Sequence, residues 1–213
     1  MCERLSFFIS HCLFLRITEN RDGAGAYISH DGFLRLCNSG FIECTTTSNR
    51  AGGIRAVIRR VLSSRCCFMR TYSNHNDFTF SFELNENGNH FNSSTFLLCA
   101  PMLHGFACSA YSHGGSLSVD EYNYSNSMVG SRHTIVSCSS MGTSGLSRGN
   151  EVNNTLNCVI TAQSDTSSSY GTVVEMSNYI NNKMTNTDFI CFIRLHFASV
   201  KMTDVLIAGN NHL

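Results

Sequence analysis

The residues of this chain that could carry out chemistry are dispersed acids, eleven cysteines and nine histidines. Glycoside hydrolysis needs two carboxyl groups that converge on one bond, one of them acting as a general acid. The chain has no Asp-Asp pair, and we find no common spacing among its acids: Asp31, Glu43, Asp77, Glu83, Asp120, Glu121, Glu151, Asp165, Glu175, Asp188 and Asp204. We therefore expect no catalytic residue and no enzyme activity.

The spacing of potential metal ligands favours no metal site. There is no Cys-x-x-Cys and no His-Glu-x-x-His, and the odd number of cysteines argues against a complete disulfide framework. Calcium takes six to eight oxygen ligands. Asp120, Glu121 and Glu151 are the acids that coil stacking could bring together, but solvated turn acids are the interpretation we favour. We expect no metal, no cofactor, and cysteines that are buried free thiols.

Charge and composition exclude several classes of partner. Lys plus Arg and Asp plus Glu number 15 each, so the formal net charge is zero, and charged residues make up 14% of the chain. A neutral chain has no net field to attract nucleic acid, and we expect no nucleic-acid partner. The longest apolar run, residues 96–110, is too short for a transmembrane helix and contains Pro101. Abundant Ser, Thr and Asn favour strands and tight turns over helices.

The elements that position these residues repeat along the chain. Apolar anchors recur at a nearly constant interval: Phe14, Phe41, Phe68, Phe96, Tyr124, Val152, Ile180 and Leu206. The residues two positions before the anchors are small or polar in seven of the eight units. In the last three units these residues are Asn150, Asn178 and Asp204, which we predict to stack as a ladder of turn side chains. The anchors are predicted to form one buried apolar ladder.

A second strand pattern recurs midway through the units. Alternating apolar and small residues beside turn formers occur at residues 23–30, 52–60, 76–84, 104–112, 131–139, 155–163 and 188–197. Short strands at a fixed period predict an all-β parallel β-helix of about eight coils, each of roughly 27 residues. We expect one domain over residues 1–213.

Two segments allow a second interpretation. Residues 52–65 have apolar positions at helical spacing and several arginines, so they could form a basic amphipathic helix; we favour a strand with the arginines outside. Residues 4–15 could be a signal peptide, but His11 interrupts them and no cleavage pattern follows. Here too a strand is favoured.

The unit "CNSGFIEC" followed by "AGGIRAVI" (residues 37–44 and 51–58) resembles the repeats of polymorphic outer-membrane and adhesin-type surface proteins of parasitic protists and bacteria. The resemblance implies a right-handed parallel β-helix and a display or adhesion surface for an unknown protein or glycan ligand. It favours a cell-surface or secreted location and an excerpt of a longer solenoid. The alternative function is a carbohydrate-active enzyme of lyase or hydrolase type with a degenerate site.

The terminal units generate a prediction for the 213-residue polypeptide. Residues 6–17 and 205–213 are apolar strands with little charge and no covering helix. Unpaired strand edges recruit other chains, and solenoids need caps for solubility. We therefore expect end-to-end self-association, seen as a sedimentation coefficient that rises with concentration. A strictly monomeric species over the micromolar range would contradict it.

Overall fold

The computed structural model describes residues 5–47, 51–74, 79–99, 110–127, 136–140, 144–156, 160–163, 171–184, 193–196 and 199–212. All regular structure in these ranges is β-strand, and the strands pair in parallel. Successive passes of about 27 residues stack on one another. The expected all-β parallel β-helix is confirmed.

Three sheets form the faces of the β-helix. The first face contains β1 (Leu5–Ser10), β5 (Gly32–Cys37), β9 (Arg60–Ser64), β13 (Asn89–Asn92), β16 (Leu117–Asp120), β19 (Ser144–Ser147), β23 (Gly171–Glu175) and β27 (Ser199–Thr203). The second face contains β2 (Leu13–Leu15), β6 (Gly40–Ile42), β10 (Cys67–Met69), β14 (Thr95–Leu97), β17 (Asn123–Ser125), β20 (Asn150–Val152), β24 (Asn178–Ile180) and β28 (Leu206–Ala208). The third face contains β4 (Ala26–Ser29), β8 (Ile54–Ile58), β12 (Phe80–Leu84), β15 (Ala110–Gly114), β18 (Val136–Ser140), β22 (Ile160–Gln163) and β26 (Ile193–His196).

Two small sheets follow the second face. They contain β3 (Thr18–Glu19), β7 (Thr45–Thr46) and β11 (Tyr72–Ser73), and β21 (Thr155–Leu156), β25 (Lys183–Met184) and β29 (Asn211–His212). We number the coils by their first-face strand, so that coil one begins at β1. The described chain passes eight times through the first two faces and seven times through the third. Seven coils are therefore closed, one fewer than the expected eight.

The core is organised around a ladder of aromatic rings under the second face. Phe14, Phe41, Phe68, Phe96 and Tyr124 are paired in register. The ring centroids of the four phenylalanines are 4.6, 5.0 and 5.1 Å apart and nearly parallel, and Tyr124 follows at 5.8 Å. Aromatic pairs in this geometry add about 0.5–1.5 kcal/mol each beyond burial. The first five predicted anchors therefore lie on one inward row.

The remaining three anchors are not on that row. Tyr124 pairs with Glu151, Glu151 pairs with Tyr179, and Tyr179 pairs with Ile207. The inward row thus passes through the residue just before Val152 and Ile180 and through the residue just after Leu206. An offset of one residue places a side chain on the opposite side of its strand. Val152 and Ile180 consequently face outward and are half-buried. The exposed Leu206 also faces outward.

The predicted turn ladder is likewise changed at its end. Asn150 and Asn178 are in register with Asn123, and their side-chain amides donate to the Oδ1 of the preceding Asn at 3.0 and 2.8 Å. Asp204 is not part of this row, because Leu206 pairs with Asn178. Asp204 instead occupies the turn before β28, with a φ of 53°.

Each coil turns at two corners where the backbone has a positive φ. The first corner, between the first and second faces, contains His11, Asn38, Arg65, Ser93, Glu121, Arg148, Met176 and Asp204. The second corner, after the second face, contains Arg16, Glu43, Arg70, Leu98, Asn126, Asn153, Asn181 and Gly209. Non-glycine residues in this conformation cost about 1–2 kcal/mol, less for Asn. Corner amides are paired in return, as in Asn38 N–H to Ser64 O at 3.0 Å and Glu43 N–H to Met69 O at 2.9 Å.

An inward ladder of short polar side chains follows the second corner. Its members are Cys44, Thr71, Cys99, Ser127, Asn154, Asn182 and Asn210. Asn182 shows the pattern: its Oδ1 accepts from the Asn154 N–H at 3.0 Å, and its Nδ2 donates to the Glu151 carbonyl at 3.0 Å. Cys99 donates to the Phe68 carbonyl in the same way. Six cysteines of the described chain are free thiols: Cys44, Cys66 and Cys99 are buried, Cys37 is half-buried, and Cys12 and Cys67 are exposed.

The arginine-rich segment at residues 52–65 forms strands β8 and β9, so the helical alternative is wrong. Arg55 lies on the outward side of β8, as its alternation with Ile54 and Ala56 predicts, but it is not exposed. Arg55 is buried, donates to Ser81 Oγ at 2.8 Å and forms an ion pair with Glu83. The N-terminal apolar segment is strand β1, and the described residues include no helix with the length and apolar character to cross a membrane.

Apolar side chains are exposed at both ends of the described stack. Leu5, Phe8 and Leu13 are exposed in coil one, and Leu206 and Ile207 in the last pass. The end-to-end association of the polypeptide stays a prediction.

The aromatic ladder generates a second prediction. Phe68 is fully buried between Phe41 and Phe96, so Phe68→Ala should lower the free energy of unfolding by about 3–5 kcal/mol through the cavity it leaves. The matched control is Met69→Ala, because Met69 is the next residue of the same strand but faces outward; it should cost less than about 1 kcal/mol. Equal losses in urea denaturation would show that the ladder is not the core.

Candidate functional site

The outward side of the second face carries an apolar row that runs through all eight strands. Its members, in register, are Leu15, Ile42, Met69, Leu97, Ser125, Val152, Ile180 and Ala208. Seven of these eight positions are apolar, and each residue is half-buried or exposed. At a strand spacing of about 4.8 Å the row is about 34 Å long. Large contiguous apolar surfaces are rare on soluble proteins that have no partner.

A parallel row in the same strands is polar in its central part. It consists of Leu13, Gly40, Cys67, Thr95, Asn123, Asn150, Asn178 and Leu206. The three Asn side chains are fixed by amide-to-amide hydrogen bonds along the stack. The second face therefore presents an apolar row beside a hydrogen-bonding row, both held by the same short strands.

A groove of about 300 Å³ runs beside the apolar row at the second corner. It is lined by Glu43, Thr45, Arg70, Tyr72 and Leu98. Arg16 and Arg70 lie 3.1 and 3.0 Å from the Glu43 carboxylate. The hydrogen bonds from Arg70 and Arg16 lower the pKa of Glu43 below its ordinary value. This acid is thus ionised at neutral pH and unsuited to be the general acid of a hydrolase.

A second groove, of about 730 Å³, opens at coil one. It is lined by Glu19, Asn20, Arg21, Asp22, Gly23 and Tyr27. Two acidic side chains and the exposed ring of Tyr27 therefore line one groove.

A carboxyl group is buried in the core at the point where the aromatic ladder ends. Glu151 is 1% exposed and follows Tyr124 on the inward row. The Tyr122 hydroxyl donates to Glu151 Oε1 at 3.0 Å and lies 3.3 Å from the Tyr179 hydroxyl. Glu151 Oε2 has no hydrogen-bond partner among the described residues.

Tyr122 reaches this carboxyl group from the inward position that directly follows the first corner. The inward position after that corner holds a small residue in most coils: Cys12, Ser39, Cys66, Ser94, Gly149 and Ser177. In coil five it holds Tyr122, whose ring extends over the next coil. A Cβ at Gly149 would lie 2.1 Å from Tyr122 Cζ, so only glycine fits there. The absence of a side chain at Gly149 therefore leaves the space that the Tyr122 ring occupies.

Burial decides the electrostatics of this cluster. Removal from water raises the pKa of Glu151 well above its ordinary value, although the Tyr122 hydrogen bond opposes the shift. Burial and the nearby carboxyl also raise the pKa of the Tyr122 and Tyr179 phenols. The neutral acid is favoured because an uncompensated charge is costly in a dry core. No solute reaches a group that is 1% exposed, so its role is structural.

The three acids weighed as a calcium cluster are separated by the sheet. Glu151 faces the core, whereas Asp120 and Glu121 lie at the surface with Arg148, which forms an ion pair with Asp120 and lies 3.4 Å from Glu121. Among the residues that the structure describes, no three His, Cys, Asp or Glu side chains come close enough to hold a metal ion. Asp77, Asp165 and Asp188 lie outside the described residues.

Sequence reasoning missed both the outward apolar row and the buried acid. One signal was present: Tyr122 was the residue that broke the small or polar pattern before the anchors. No signal distinguished Glu151 from a solvated turn acid, because that distinction depends on the one-residue shift.

Comparison of this chain with protein families, with curated proteins and with solved structures found no match.

The buried acid generates a prediction on pH. Above pH 4.5, the ordinary pKa of the group, the unfolded chain has lost the Glu151 proton while the folded chain keeps it. The stabilisation that protonated Glu151 contributes is thus fully present below its ordinary pKa. It decreases by about 1.4 kcal/mol per pH unit as the pH rises towards the pKa of Glu151 in the folded chain. Glu151→Gln should remove this dependence on pH. In urea denaturation, the free energy of unfolding of the variant should therefore rise relative to that of the wild type from about pH 5 to about pH 8.

The control has the opposite sign. Arg70 and Arg16 lower the pKa of Glu43, so its contribution is present above the ordinary pKa and is lost as the pH falls. Glu43→Gln should therefore be less stable than the wild type by a constant amount from about pH 5 to about pH 8, and this difference should shrink as the pH falls below the ordinary pKa of 4.5. A Glu151→Gln variant that tracks the wild type at every pH would show that the carboxyl is not buried.

Proposed function

We propose that this chain is a non-enzymatic interaction module that binds a protein partner along the outward apolar row of its second face. The observation that carries the proposal is the continuity of this row, which is apolar at seven of eight stacked positions. Outward positions of a sheet exposed only to water have no physical reason to repeat apolar side chains coil after coil.

The dimensions of the surface suit a protein. The row, its polar neighbour and the second corner form a strip about 34 Å long and roughly 20 Å wide. That area is close to the roughly 800 Å² that each partner contributes to a stable interface. Aliphatic and Met side chains fit the apolar centre of such an interface, and the Asn row supplies hydrogen bonds at its rim.

Adhesion at a cell surface, or after secretion, is the setting we propose for this module. The resemblance of residues 37–58 to adhesin-type repeats supports this setting. So does the regular rod, because stacked coils repeat one binding surface along their length.

The second candidate is a polysaccharide-active enzyme. The observation that favours it is the groove at coil one, which contains Glu19 and Asp22 beside Tyr27. Glycoside cleavage requires a pair of carboxyl groups that flank the scissile bond, and an aromatic ring beside them could pack against a sugar. We rank it second because no further acid lines this groove among the described residues.

The test measures binding to immobilised laminin, fibronectin and mucin by biolayer interferometry. The wild-type chain should bind at least one of these proteins. The triple variant Ile42→Ser, Met69→Ser, Leu97→Ser should weaken that binding at least about tenfold, because it removes the apolar centre of the interface.

The matched control removes apolar side chains from the outward side of the first face: Phe33→Ser, Leu62→Ser, Val173→Ser. It should change the affinity less than about twofold. Absence of binding to all three proteins, or an equal loss in both triple variants, would contradict the proposal. Release of reducing ends from polygalacturonate that Glu19→Gln with Asp22→Asn abolishes would favour the enzyme instead.

A further inference from the structure

Positive charge is concentrated at one end of this neutral chain. Residues 1–74 contain ten of the 15 basic residues but only five of the 15 acidic ones. All ten of those basic residues are arginines. A neutral total therefore conceals a basic region in coils one to three and an acidic region beyond it.

Part of this charge gathers on the outward side of the first face. Arg35 and Arg60 face outward from the adjacent strands β5 and β9, and Arg65 stands at the first corner directly after β9. Arg35 and Arg65 are exposed, and neither forms an ion pair with another described residue. We call these three arginines the first-face arginine patch.

Arg60 is held in a fixed position. Its Nε donates to the Gly88 carbonyl at 2.9 Å, which keeps the guanidinium at the surface and leaves its remaining N–H groups for a ligand. Arginines at the neighbouring corners are instead paired with acids: Arg16 and Arg70 with Glu43, and Arg59 with Asp31 and Glu86. On the first face of the described chain, the patch is thus the group of arginines whose charge is uncompensated.

Neutral hydrogen-bonding groups lie beside the patch. The outward row next to the first corner consists of Ser10, Cys37, Ser64 and Asn92 in coils one to four. The first outward acid of this row is Asp120 in coil five, which pairs with Arg148. The three arginines thus belong to coils two and three, and the neutral row beside them spans four coils, or about 15 Å along the stack.

We propose that the first-face arginine patch binds an acidic polysaccharide, one that carries sulfate or carboxylate groups. A guanidinium presents a planar fork that matches these oxyanions with two parallel hydrogen bonds. The row of Ser and Asn side chains fits the hydroxyl groups of a sugar chain lying along the stack. This site is on a different face from the apolar row and does not depend on a protein partner there.

Two other anionic partners fit less well. Stable binding to an anionic bilayer needs a larger cluster of cations or a second anchor. The patch has three arginines, and of the apolar residues beside them Phe33 and Leu62 are half-buried and Phe8 is exposed. Single-stranded nucleic acid needs a series of exposed aromatic rings for its bases, and two rings, Phe8 and His90, are exposed on the outward side of the first face in coils one to four among the described residues.

The experiment measures binding of a heparin oligosaccharide, of polygalacturonate and of uncharged dextran to the full chain by calorimetry at two salt concentrations. Arg35→Gln with Arg65→Gln should weaken binding of the acidic polysaccharide roughly tenfold or more and reduce its salt dependence. The matched control, Arg16→Gln with Arg70→Gln, removes the same charge from the second corner. It should change the affinity less than about twofold.

The double variant Arg35→Lys with Arg65→Lys distinguishes bidentate hydrogen bonding by the guanidinium from attraction by charge alone. This variant keeps the charge and should still bind more weakly than the wild type. It also serves if the glutamine variant fails to fold, which circular dichroism would show.

The proposal is overturned by equal losses in both glutamine pairs, by absence of binding to both acidic polysaccharides, or by dextran binding of equal strength. Tighter binding to phosphatidylserine vesicles or to a single-stranded oligonucleotide would overturn it as well. A negative result with the first-face variants would not bear on the proposed protein partner of the second face, because that site is tested with different residues.

Discussion

Parallel hydrogen bonding in strict register between successive coils is the constraint on which the rest of this structure depends. Each backbone position lies over its counterpart in the next coil at about 4.8 Å, so every feature of the molecule is a row. The corners follow the same register, since residues as different as His11, Glu121 and Met176 all have a positive φ. The amide of each donates to the carbonyl of the following coil. The strain of one corner is tolerated because the coils beside it fix the same turn.

The inward ladder after the second corner shows how this constraint shapes composition. Cys99, Ser127, Asn154 and Asn182 occupy equivalent places, and the side chains of Ser127, Asn154 and Asn182 each accept the backbone amide of the coil before them. A short side chain with one hydrogen-bonding atom at the right height is what the position requires. This requirement accounts for a chain that is rich in Ser, Thr, Asn and Cys but contains few charges. Burial raises the pKa of Cys99 to about 11, in keeping with a thiol that bonds rather than reacts.

Much of the fold could be predicted from sequence because periodicity survives substitution, but the register could not. The anchors from Phe14 to Tyr124 lie on one row, and all seven segments with the second pattern overlap a third-face strand. Beyond Tyr124 the outward side of the same strands is apolar, so Val152 satisfied the expected apolar spacing although it is not the core position. The inward residue is Glu151, and hydrophobicity alone gives no reason to place a carboxyl there. Only the hydroxyl of Tyr122 makes that position acceptable.

The same one-residue shift links stability to the proposed interaction surface. If Val152 and Ile180 faced the core, the outward row would lose two of its apolar members, and Glu151 and Tyr179 would lie at the surface. The register that buries Glu151 beside the phenols in the core is thus the same register that places Val152 and Ile180 on the outward apolar row. The cost of burying Glu151 is moderated by Tyr122, and the Tyr122 ring in turn requires Gly149. The continuity of the outward surface therefore depends on a small set of matched residues in coils five to seven, which bind nothing themselves.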